Sequence, residues 1–125
     1  MAILKIKIIR LKREYVIYNL TTAVRVKVMP KTKDEILSVL KARKPELEQV
    51  FPLKRMALFG SWFRGEAKEK SDVDILVDVD PTIGLGFVTL AERLEELLGM
   101  PVDLISRRAI KPSLWKQIEP ELIDV

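Results

Sequence analysis

The chain contains no cysteine and no histidine in 125 residues. Without cysteine there is no disulfide framework, no thiolate zinc site and no thiol nucleophile. Without histidine there is no imidazole base, no imidazole metal ligand and no Ser-His-Asp arrangement. Any bound metal must be held by oxygen, which selects hard cations such as Mg²⁺, Mn²⁺ or Ca²⁺. No apolar run approaches the roughly 20 residues needed to span a bilayer. The opening MAILKIKIIRLKREY alternates apolar and basic residues and lacks the apolar core and cleavage site of a signal peptide. These absences make a cytoplasmic location, with no membrane partner, the expectation.

A length of 125 residues suits one domain, and an apolar content of 48% suffices for one modest core. The net charge of +4 is unevenly placed. Residues 1–28 carry seven basic side chains and one acid, a net of +6, whereas residues 29–125 carry 15 basic and 17 acidic side chains, a net of −2. The main body is therefore not a basic nucleic-acid binder. Residues 1–28 read as a basic, extended segment rich in β-branched residues, with Asn19-Leu20-Thr21-Thr22 as the turn of a hairpin. Two readings stand side by side: an added hairpin, or translated upstream sequence with Met29 as the natural start of a domain over residues 29–125.

From Thr32 onward, turn and periodicity signals alternate. Thr32-Lys33-Asp34-Glu35 is a capping box ahead of the helical face Ile36, Leu37, Leu40. Pro45 fits the first turn of a continuing or a new helix, and Pro52 ends it. A short strand over Arg55–Phe59 follows, then a short helix over Ser61–Ala67 and a strand over Val73–Val79. Phe87, Leu90, Ala91, Leu94, Leu97 and Leu98 form a helical stripe closed by Gly99. Val102–Ile105 reads as a third, buried strand, a last short helix starts at Lys111-Pro112, and Leu122–Val125 reads as a final strand. The order α-β-(α)-β-α-β-α implies an α/β or α+β fold, a small mixed sheet flanked by helices.

Three features carry chemistry. Gly60-Ser61 lies between a strand and a helix start, where backbone N–H groups and the helix dipole favour an anion and glycine lets a phosphate approach. An ordinary turn has the same composition. Asp72 and Asp74 are two apart on a strand and so share one face. Two acids on one face repel, and a divalent cation resolves the conflict; a solvated strand end is the alternative. Asp103, inside the apolar Pro101-Val102-Asp103-Leu104-Ile105, is either an edge-strand acid facing water or a third carboxylate brought beside the first two. Three such carboxylates suit two metal ions roughly 3.5–4 Å apart, an arrangement for phosphoryl or nucleotidyl transfer.

In combination, Gly60-Ser61, Arg64-Gly65, Ser71-Asp72-x-Asp74 and Asp103, each on its expected element, resemble the minimal nucleotidyltransferases of the DNA polymerase β superfamily. The resemblance spans roughly Thr32–Val125 and extends to Glu66-Ala67 and Pro101–Leu104. It implies a polymerase β-type palm that takes ATP as substrate with two Mg²⁺ ions. By position, Gly60 and Ser61 would hold the β- and γ-phosphates, Asp72 and Asp74 would bind both ions, and Asp103 would bind one ion and help deprotonate the nucleophile. Arg64 would buttress the loop or meet phosphate. Phe63 departs from the family's usual small residue, so Phe63 and Trp62 either pack inward or form an apolar patch beside the site.

Larger members of that family carry an added helical domain for the second substrate; too little chain follows Asp103 for one, so a partner protein is expected to supply the acceptor or help shape the site. The resemblance implies an antitoxin that binds a HEPN-family ribonuclease toxin and transfers AMP from ATP to a toxin tyrosine. It would act without contacting nucleic acid directly, as a homodimer or as a hetero-oligomer with the toxin. Two alternatives remain: an antitoxin that inhibits by binding alone, and a small-molecule nucleotidyltransferase of the aminoglycoside-modifying type.

Overall fold

The structure, a computed structural model, describes residues 7–11, 14–18, 23–27, 30, 32–65 and 72–125. Near the N-terminus, β1 (Lys7–Leu11), β2 (Glu14–Tyr18) and β3 (Ala23–Lys27) form an antiparallel sheet in the order β1-β2-β3. Where the sequence suggested one hairpin, the described residues of this segment form three strands. The proposed turn at Asn19–Thr22 lies outside the described residues, as does Met29.

Helix α1 (Lys33–Val50) begins as its capping box requires. The Glu35 amide donates to Thr32 Oγ1 at 3.1 Å, so one of the otherwise unpaired N–H groups of the first turn is satisfied. The helix runs through Pro45 without ending, so the two segments form one helix. Its buried positions Ile36, Val39, Leu40 and Leu47 follow the helical repeat and face the sheet.

That sheet has the order β6-β5-β4-β7, built from β4 (Leu53–Phe59), β5 (Val73–Val79), β6 (Val102–Ser106) and β7 (Ile123–Asp124). Pairing of β4 with β5 and β7 is antiparallel, and pairing of β5 with β6 is parallel. A parallel pair needs a crossover, and α3 (Gly86–Leu98) supplies it. Gly99 ends α3 in the left-handed conformation at φ 66°, with its amide 2.7 Å from the Glu95 carbonyl. The third strand, β6, is at the sheet edge and half-exposed, not buried, because no strand follows it in the sheet.

Alternation along the strands separates two apolar layers. Val73, Ile75 and Val77 of β5, with Met56 and Leu58 of β4, pack under α1 and α3, where Leu90, Leu94 and Leu98 are fully buried. The opposite face presents Ala57, Phe59 and Leu76 to Ile110 and to Ile118 of α4 (Pro112–Ile118). Because α4 is only seven residues long, this second layer is small. Asp74 has the same parity on β5 as Leu76, so it emerges on this thinly covered face, and Asp72 stands one residue before the strand begins.

Trp62 belongs to the larger layer. It is 8% exposed and packed within the α1–α3 core, which removes it as an exposed anchor. Its indole N–H has no hydrogen-bond partner, so the ring is held there by apolar packing alone. The side chain of Phe63 lies outside the described set. Trp62→Ala is expected to cost about 3–5 kcal/mol, the range for large aromatic-to-alanine cavities, measured as a fall in the urea midpoint. An unchanged midpoint would return Trp62 to the surface.

Candidate active site

The register of three strands assembles the site. Phe59 at the end of β4 pairs with Asp74, and Asp74 pairs with Asp103 on β6. Registered neighbours in a sheet point the same way, so Asp103 shares the face of Asp74 and Asp72. Asp103 is an exposed acid on the edge strand and the in-register neighbour of Asp74.

Gly60 follows Phe59 directly and turns the chain into α2 (Ser61–Arg64). Its φ of 78° lies in the region that side chains disfavour. The second reason for glycine is space. A Cβ at Gly60 would collide with the Asp74 carboxylate, with Asp74 Cγ only 2.9 Å away. The Ser61 backbone N–H donates to that same carboxylate. The amides at this turn are thus not all unengaged, as the sequence suggested: one of them already holds Asp74.

Asp74 is half-buried, and its pKa is raised above the ordinary carboxylate range. Burial is the largest cause, followed by the negative charges of Asp103 and Asp72; the Ser61 amide and the Arg64 guanidinium act in the opposite direction. Asp74 therefore senses both neighbouring carboxylates, and Arg64 is near enough to offset part of that repulsion. Arg64 also pairs with Glu121, with Nη1 3.2 Å from Oε2 and 3.3 Å from Oε1. Glu121 was not singled out in the sequence. It stands 57 residues from Arg64, outside any motif, and only its pairing draws it to the site.

Among the described residues, no three acidic side chains are already drawn together as a metal cage. The donor chemistry nevertheless fits a hard divalent cation: three carboxylates on one face, one of them partly desolvated and destabilised by the other two. Ser71, Glu66 and Ala67 lie outside the described residues.

A family model described as nucleotidyltransferase domain matches residues 34–125. The chain belongs to this family. A protein adenylyltransferase MntA of Thermococcus cleftensis is 46% identical over 96 residues, which cover 75% of this chain and 96% of that relative. A solved structure described as a "putative minimal nucleotidyltransferase" matches with a TM-score of 0.67 at 32% identity, over 76% of this chain and 97% of that one. A chain from a toxin–antitoxin structure with AMP-PNP matches with a TM-score of 0.55 at 26% identity, over 75% of this chain and 72% of that one. The mixed sheet with flanking helices is the minimal nucleotidyltransferase fold, and the chain is an enzyme of that class. Among its described residues, no helix is long and apolar enough to cross a membrane.

The raised pKa of Asp74 has a sign that can be tested. The folded chain binds this proton more readily than the unfolded chain does. The group therefore favours folding below the ordinary carboxylate range, and that contribution is lost as pH rises through the raised pKa. The double variant Asp72→Asn with Asp74→Asn is expected to melt above the parent at pH 7, with the gap closing below about pH 4. Mg²⁺ should raise the melting temperature of the parent more than that of the variant, which keeps only one of the three carboxylates. A gap that stays constant across this pH range would rule out carboxylate repulsion as its cause.

Proposed function

We propose that the protein is a Mg²⁺-dependent protein adenylyltransferase acting as an antitoxin, which transfers AMP from ATP to a tyrosine of a HEPN ribonuclease toxin in the cytoplasm. The observation that carries this reading is the contact between the Gly60 turn and the Asp74 carboxylate. It sets the backbone of the turn directly beside the acids that would hold the metal. The names of the relatives and the AMP-PNP toxin–antitoxin structure support the nucleotide and the kind of partner.

In this reading Gly60 and Ser61 bind the β- and γ-phosphates. Glycine at position 60 keeps a Cβ out of the space between turn and carboxylate. Asp72 and Asp74 would hold both Mg²⁺ ions, and Asp103 would hold the one at the attacking oxygen. The ions would supply charge neutralisation at the α-phosphate and at the leaving group. The tyrosine oxygen forms a bond to the α-phosphorus, the bond from that phosphorus to the bridging oxygen breaks, and pyrophosphate leaves. Asp103, exposed at the sheet edge, accepts the phenolic proton and returns it to solvent. The same reading confines the activity to residues 29–125.

Incubation of the purified protein with labelled ATP, Mg²⁺ and a HEPN toxin should place AMP on a toxin tyrosine, located by mass spectrometry. Asp72→Asn with Asp74→Asn should reduce transfer by at least about 10³-fold, comparable with removal of a principal charge-stabilising group, while the variant stays folded. Binding and inhibition of the toxin without any mass increase would favour the purely steric antitoxin. Label only on an added aminoglycoside would favour the small-molecule enzyme. A chain beginning at Met29 should retain transfer and melt within a few degrees of the full chain.

A further inference from the structure

We propose that Glu121 is a positioning residue for nucleotide binding, acting through Arg64; this rests on the nucleotide site proposed above. The C-terminal segment is strapped along β4. Asp124 pairs with Ala57 and Ile123 with Leu58 in an antiparallel register. Glu121 ends the 3-10 turn Glu119–Glu121 that leads directly into this strand, two residues before Ile123. The strap is fixed at several other points. The Val125 amide donates to the Met56 carbonyl at 2.9 Å, Lys44 Nζ donates to the Val125 carbonyl oxygen at 2.8 Å, and Arg55 forks onto Asp124 at 2.7 and 3.2 Å. Leu122 and Ile123 enter opposite apolar layers, which fixes the rotation of the segment. Glu121 is therefore carried to the phosphate-binding turn by rigid structure.

A carboxylate beside a phosphate site is electrostatically adverse unless a cation answers it. Arg64 answers it from one turn along α2, where its own amide is bonded to the Gly60 carbonyl at 3.1 Å. One guanidinium nitrogen, Nη1, meets both Glu121 oxygens, so the contact fixes the head group from one side. The guanidinium stays close enough to Asp74 to oppose its repulsion from Asp72 and Asp103. Glu121 thus sets where the one arginine of the Gly60–Gly65 stretch presents its charge, and that position is the rim of the turn that takes the nucleotide phosphates.

The test is a double-mutant cycle on nucleotide binding, which needs no acceptor. The probe is a fluorescent ATP analogue with Mg²⁺, titrated into the full-length chain. Glu121→Ala and Arg64→Ala are each expected to weaken binding about three- to tenfold, and the double variant no further than Arg64→Ala alone. Glu121→Asp should recover part of the loss. The pair is partly exposed, at 43% and 28%, so Glu121→Ala should melt within about 4 °C of the parent. Additive losses in the double variant, or tighter binding in Glu121→Ala, would overturn the inference while leaving the nucleotide site standing. A parent chain that binds no nucleotide would overturn both.

Discussion

The approach of the Asp74 carboxylate to Gly60 is the contact around which the rest of the chain is arranged. It requires a residue with no Cβ at the end of β4, in a backbone conformation that disfavours other residues. It requires β5 to be in a register that brings Asp74 beside Phe59, one residue from the turn. It also fixes the direction of α2, whose first amide holds the carboxylate in place. A one-residue slip of β5 would carry Asp72 and Asp74 to the α1–α3 face, into a layer where no charged side chain is buried among the described residues.

The unequal covering of the sheet explains why a charged site can exist in so small a domain. One face is sealed by two long helices and holds most of the fully buried side chains. The other is covered only by the short α4 and its flanking turns, and the acids emerge on that face. Most of the buried apolar packing is thus on one side of the sheet and the candidate site is on the other. Asp74 sits between the two regimes, half-buried and destabilised as an anion by its surroundings. That is the electrostatic condition a divalent cation would relieve.

Much of this was legible in the chain because the signals were local. Thr32 with Glu35, Gly99 after its leucine stripe, and Pro112 at a helix start each act within one helical turn, so they read correctly without tertiary knowledge. The placement of Asp74 on the face of Leu76 likewise needs only a strand. Trp62 could not be assigned, because four residues of helix give no periodicity from which to tell an inward ring from an outward one. The burial expected for β6 failed for a related reason: an apolar pentapeptide looks the same at the centre of a sheet and at its edge.

The sequence by itself determined the kind of chemistry available. With no histidine or cysteine, only carboxylates, hydroxyls, amides and cationic side chains remain, and the order of Gly60, Asp72, Asp74 and Asp103 along the chain carries the resemblance to the nucleotidyltransferases. Only the tertiary structure decided which groups act together. Strand order put Asp103 in register with Asp74, and the 3-10 turn leading into β7 brought Glu121 to Arg64 across 57 residues of chain. The physical reason is that caps and periodicity depend on neighbours a few residues apart. Strand order and register instead depend on the summed packing of both sheet faces, which no short segment contains.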